Sequence, residues 1–182
     1  MLEKIIDGLK YSIKYDKSIL RRYLILGAFD GILLATGVLI SAAASKLSIQ
    51  DTNLAVLSGI IAIAISSMWN SLVVEAKERK LEYEQLERQM MKRLKGTIYD
   101  YGMKSTIILS VISHGFSPFL GVFAVIVYDY TRDIFYGILI SLIILFILGL
   151  SYEGDLKEKL QSGAIIIIAG IITVLITMLI NH

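Results

Sequence analysis

Five runs of predominantly apolar residues, each close to the length that crosses a bilayer, leave this chain few folds to choose from. They are Tyr23 to Ala44, Asn53 to Val74, Ser105 to Val127, Ile134 to Tyr152 and Ser162 to Ile180. A hydrocarbon core about 30 Å thick needs about 20 apolar residues in a helix. Inside lipid only a helix or a closed barrel satisfies its own backbone groups. We therefore expect an all-α integral membrane protein with five transmembrane helices. The composition agrees: 55% of the 182 residues are hydrophobic and the formal net charge is only +2. The third run carries the one proline, Pro118, close to His114, Gly115 and Ser117, and a kink or break is expected there.

Charge placement sets the expected topology. Sixteen of the 18 Lys and Arg residues lie before the first run, between the second and third, or between the fourth and fifth, and only Lys46 and Arg132 lie in the other connections. By the positive-inside rule the amino terminus is cytoplasmic and the carboxyl terminus lies on the opposite side. The chain then divides into a cytoplasmic amino-terminal segment (1–22), two spans (23–74), a cytosolic insert of mixed charge (75–104) and three spans (105–182). The charged amino terminus lacks the short apolar region and small-residue cleavage site of a removable signal peptide. Ile5, Ile6, Leu9, Ile13, Ile19 and Leu20 recur near helical spacing, which fits either an amphipathic helix at the membrane surface or a plain charged flank. Glu75 to Lys95 holds no Pro or Gly, so the second span should continue outward as one long helix, with Gly96 ending it.

Within the first run stands Asp30. A charge at that depth costs a few kcal/mol on insertion scales and persists where a protein interior, a watery path or a partner receives it. On the second span, Met68 is joined along one helical face to Glu75, Glu78 and Glu82, and Glu84, Glu87 and Met91 form a second row. Carboxylate oxygen with thioether sulfur favours Fe(II) or Mn(II) over Ca(II). The same glutamates alternate with Lys and Arg, as in a solvated helix laced with ion pairs. Asn70 suits an interhelical hydrogen bond or a polar path, and His114, at the break, suits metal coordination, proton transfer or a satisfied buried imidazole. Gly27 and Gly31 make a small-x-x-x-small pattern that admits another helix. Pairing of that face with its own copy would set two Asp30 carboxylates opposite each other.

Several classes are excluded or disfavoured. Without cysteine there are no disulfides, thiolate metal sites or cysteine nucleophiles. No P-loop, GxSxG or HExxH motif occurs, so an enzyme is not expected and transport would run on an ion gradient or on the substrate's own gradient. The basic residues flank membrane segments, which points to lipid headgroups and away from nucleic acid.

The stretch Gly27-Ala28-Phe29-Asp30-Gly31, continued by Ala35-Thr36-Gly37-Val38, resembles the first-span motif of the vacuolar iron transporter family, with its yeast calcium-cross-complementing relatives. Gly115-Phe116-Ser117-Pro118 is similar to the break in that family's third span, and Ser162-Gly163 through Gly170 to its fifth. The resemblance runs from about Arg22 to Asn181. It implies a homodimeric transporter of Fe(II) and related divalent ions in exchange for protons, with no permanently bound cofactor. Asp30 matches the family's translocation aspartate and Met68 its second-span methionine, while Glu75, Glu78, Glu82, Glu84 and Glu87 stand as a group where the family captures metal in the cytosol. The chain departs from the pattern at Ser67-Met68-Trp69-Asn70-Ser71-Leu72, which keeps the Met and lacks the Glu of Ser-Met-Ala-Ala-Gly-Glu, and Tyr23 stands near where an acidic residue precedes the first motif. The short insert marks a divergent member. The rival expectation is a membrane scaffold or sensor in which Asp30 only locks helices and the long helix docks a partner.

Overall fold

The computed structural model describes residues 2–181, Leu2 by its backbone alone. The described residues form helices α1 (Leu2–Tyr15), α2 (Lys17–Ala44), α3 (Ile49–Met90), α4 (Ile98–Phe116), α5 (Val122–Thr131), α6 (Ile134–Leu150) and α7 (Leu156–Ile180), with a 3-10 segment, Ser117–Gly121, between α4 and α5. Four stretches are long and apolar enough to cross a membrane: α2, α3, α7 and the broken rod running from α4 through α5. At 17 residues α6 is shorter, about 25 Å at 1.5 Å per residue. With 42 residues, α3 extends to about 63 Å, twice the thickness of a hydrocarbon core.

The central helix is α2. Ala35 and Leu39 pack with Val56 and Ile60 of α3 and Ala124 and Val125 of α5. Ala28 and Ile32 pack with Leu145 and Leu148 of α6. Only Gly163 and Gly170 of α7 are buried, while Ile165, Leu175 and Leu179 on it are at least 60% exposed. So much outward-facing aliphatic surface is stable in lipid and not in water.

The break at Pro118 gives the fold its tightest contact. Proline opens the 3-10 segment, and the segment lies so close to α2 that a Cβ at Gly31 would fall on the Pro118 backbone, while one at Gly121 would sit 2.7 Å from the Gly31 carbonyl carbon. Gly27 likewise faces Ser117 and His114. The small-x-x-x-small face of α2 is therefore covered by the chain's own third span. A second copy would have to meet α2 elsewhere.

The ends of the elements also correct the sequence expectation. The long helix stops at Met90 instead of reaching Gly96, because Met91 turns into the left-handed region (φ 49°) and its amide bonds back to Arg88. The Glu87 carboxylate then accepts the Leu94 amide at 2.7 Å, fixing the chain reversal before α4. In α1 the helical alternative holds. It docks on α4 through small and hydroxyl groups: Gly8 abuts Tyr101, Tyr11 abuts Gly102, and Thr106 Oγ1 donates within reach of Ser12 Oγ (2.9 Å) and Asp16 (2.6 Å). Ile5, Ile6 and Ile13 remain exposed, the arrangement of a helix whose apolar side meets lipid headgroups. Burial, reinforced by Tyr99 and Asp16 nearby, raises the Tyr11 phenol above its ordinary pKa and keeps it neutral.

Candidate functional site

Midway along α2, Asp30 is exposed on the surface of the single chain. It opens onto a groove of about 280 Å³ lined by Asp30 and Leu33 of α2, Ile63, Ser66, Ser67 and Asn70 of α3, and His114 of α4. The placement follows from the helix period. Gly27, Gly31 and Ala35 turn inward on the broken span, which leaves Asp30 on the adjoining outward face, beside the seam with α3. The ion pairs among the described residues gather at the basic end of the bundle, and none includes Asp30. The carboxylate thus faces a polar groove that holds no Lys or Arg, with His114 as the one imidazole in its lining.

His114 lies at the inner wall of the groove. It is buried, its Nδ1 has no hydrogen-bond partner, and its ring packs against Tyr23 with centroids 5.0 Å apart. A buried imidazole nitrogen without a partner is costly unless a ligand, water or ion occupies the space beside it. Asp30, His114, Asn70 and the two serines place one carboxylate, one imidazole and neutral oxygens around a single groove, donor types of the kind that borderline divalent ions take. One copy brings a single negative charge to it.

Met68 is adjacent to this groove without lining it. Its side chain lies on Gly115, where a Cβ would come within 2.7 Å of the sulfur, so it packs α3 against α4. The two glutamate rows are largely engaged in pairing. Glu75 is fully buried; it accepts from Tyr23 Oη at 2.9 Å, from Arg22 at 3.4 Å and from Arg79 at 3.2 Å. Arg79 in turn reaches Asp16 at 3.5 Å and Glu82 at 2.8 Å. Glu84 lies 3.9 Å from Lys80, Glu87 holds the Leu94 amide, and Glu78 is exposed. Glu84, Glu87 and Met91 do share one groove, with Arg88, Lys92 and Arg93 around it. No group of three or more His, Asp or Glu side chains able to hold a metal ion occurs among the described residues.

Two features escaped the sequence reading. One is the Tyr23–Glu75–Arg79 cluster, in which Tyr23 lies 52 residues from Glu75. The other is a contact between Asn53 and Asp129 at the far end of the bundle. Both sit where apolar runs meet polar flanks, and that position was the only signal.

No protein-family model matches this chain, and no solved structure does. It is similar to an uncharacterized protein of Methanocaldococcus jannaschii, 29% identical over 166 residues that cover 85% of this chain and 84% of the relative.

Proposed function

We propose that this chain is a transporter of divalent transition-metal ions, Fe(II) or Mn(II), of the vacuolar iron transporter type, moving metal in exchange for protons. In this reading α6 is a fifth crossing, the amino terminus is cytoplasmic, and two copies meet along the outward face of α2. The observation that carries it is Asp30, an acid in the middle of an apolar helix, facing a polar groove with no Lys or Arg in its lining and no ion pair among the described residues. Such residues are kept where ions or protons pass. Two copies would bring two carboxylates, enough to offset a divalent charge, and carboxylates that bind either metal or protons give a natural means of exchange.

The scaffold reading asks Asp30 to lock helices, and within one copy it bonds to none. The paired glutamates limit the role of the long helix: its Glu75 holds the bundle together, so metal capture there would fall to the exposed Glu78 and to the Glu84 and Glu87 groove. The test is metal-dependent stabilisation of the purified protein. Fe(II) or Mn(II) should raise the unfolding midpoint by several degrees at concentrations well above the dissociation constant, and Asp30→Asn should remove that response. A wild-type midpoint indifferent to Fe(II), Mn(II), Co(II) and Zn(II) alike would favour the scaffold.

A further inference from the structure

At the end of the bundle opposite the paired cluster, Asn53 in the second turn of α3 meets Asp129 in the last turn of α5. Asn53 Nδ2 donates to Asp129 Oδ2 at 2.6 Å. The remaining oxygen of each, Asn53 Oδ1 and Asp129 Oδ1, is buried and has no hydrogen-bond partner. Exchanging the amide's nitrogen and oxygen offers no relief, because it would set two acceptors against each other at that distance. The pairing therefore leaves one buried acceptor oxygen unpartnered on each of two hydrogen-bonded side chains from neighbouring helices.

The electrostatics make the deficit larger. Asp129 stands in the final turn of α5, where the helix dipole presents its negative end. None of the ion pairs among the described residues includes it; Lys46 and Arg132, the basic residues of this end, are exposed and form none. A half-buried carboxylate with one oxygen sealed from solvent, short of donors and opposed by a dipole, favours a positive charge beside it. Two free oxygens, one anionic and one amide, suit a small hard cation that takes oxygen ligands, with backbone carbonyls or water completing its shell.

We propose that Asn53 and Asp129 form a second cation site, for a hard, oxygen-coordinated ion such as Mg(II), Ca(II) or Na(I), joining α3 to α5. The site is separate from the Asp30 groove and stands whether or not that groove carries metal.

The experiment is thermal unfolding of the purified full-length protein titrated with MgCl2, CaCl2 or NaCl, each against choline chloride at matched ionic strength. At least one cation should raise the wild-type midpoint by several degrees, and the three arms identify which. Asp129→Asn should abolish the response and Asp30→Asn should leave it. Asn53→Asp adds a second carboxylate and should shift the same titration to concentrations about tenfold lower, a gain that remains readable if Asp129→Asn does not fold. The site is refuted by a wild-type midpoint that follows ionic strength alone, by a response that survives in Asp129→Asn, or by an unchanged titration in Asn53→Asp. Stabilisation by acid with no cation response would also refute it, because a proton would then be satisfying the pair.

Discussion

Asp30→Asn is expected to reduce divalent-metal uptake into proteoliposomes to the level of protein-free vesicles, while the protein still purifies as a folded species of wild-type oligomeric size. The substitution keeps the size and polarity of the side chain and removes its charge. Asp30 makes no ion pair among the described residues and lies exposed at a groove, so no packed contact is lost. Removing an unpaired charge from an apolar helix should lower the cost of placing that helix in lipid, and stability should hold or rise by about 1 kcal/mol or more. Loss of flux together with unchanged or improved stability is a combination that a purely structural aspartate would not give. Wild-type uptake by the mutant would remove Asp30 from the path.

Arg79→Ala should be the most damaging single substitution at the basic end. Arg79 is 13% exposed, and its guanidinium holds the fully buried Glu75 at 3.2 Å, Asp16 at 3.5 Å and Glu82 at 2.8 Å. Removing one partner of a buried pair leaves an uncompensated charge, at a cost of about 3–5 kcal/mol. Arg22, at 3.4 Å and half exposed, compensates only in part. Glu75→Gln keeps an acceptor for Tyr23 and leaves Arg79 with two other carboxylates, so its cost should be smaller, about 1–2 kcal/mol. Because these residues act as one cluster, the double variant should fall short of the sum. Denaturant unfolding in a fixed detergent measures all three. An Arg79→Ala variant within 0.5 kcal/mol of wild type, by the same scale of effects, would mean that the cluster does not hold α2 to α3.

The consequences of lipid were the most legible part of the chain. Apolar runs near 20 residues became helices because backbone groups in hydrocarbon can pair in few other ways, and Pro118 broke the third where its missing donor required. Spacing showed that Gly27 and Gly31 admit a close neighbour, but it does not name the neighbour. Pro118 and Gly121 of the same chain occupy that face. The glutamate rows posed the same difficulty. Period 3.6 placed Glu75, Glu78 and Glu82 on one face, while the burial of Glu75 depends on Tyr23 and Arg22 from another helix, a long-range contact that helical spacing cannot express. Gly96 looked like the end of α3, yet Met91 took the left-handed position and Glu87 captured the returning amide. Asp30 stood out in the sequence because lipid penalises a charge there, whichever residues surround it.

The most direct measurement is uptake of Mn(II) by proteoliposomes holding the wild-type protein, followed with a metal-sensitive dye inside and a pH-sensitive dye in parallel. The account predicts time-dependent Mn(II) entry above that of protein-free vesicles, with protons moving in the opposite direction. Mn(II) entry equal to the protein-free control, from protein shown to be folded and inserted, would contradict it.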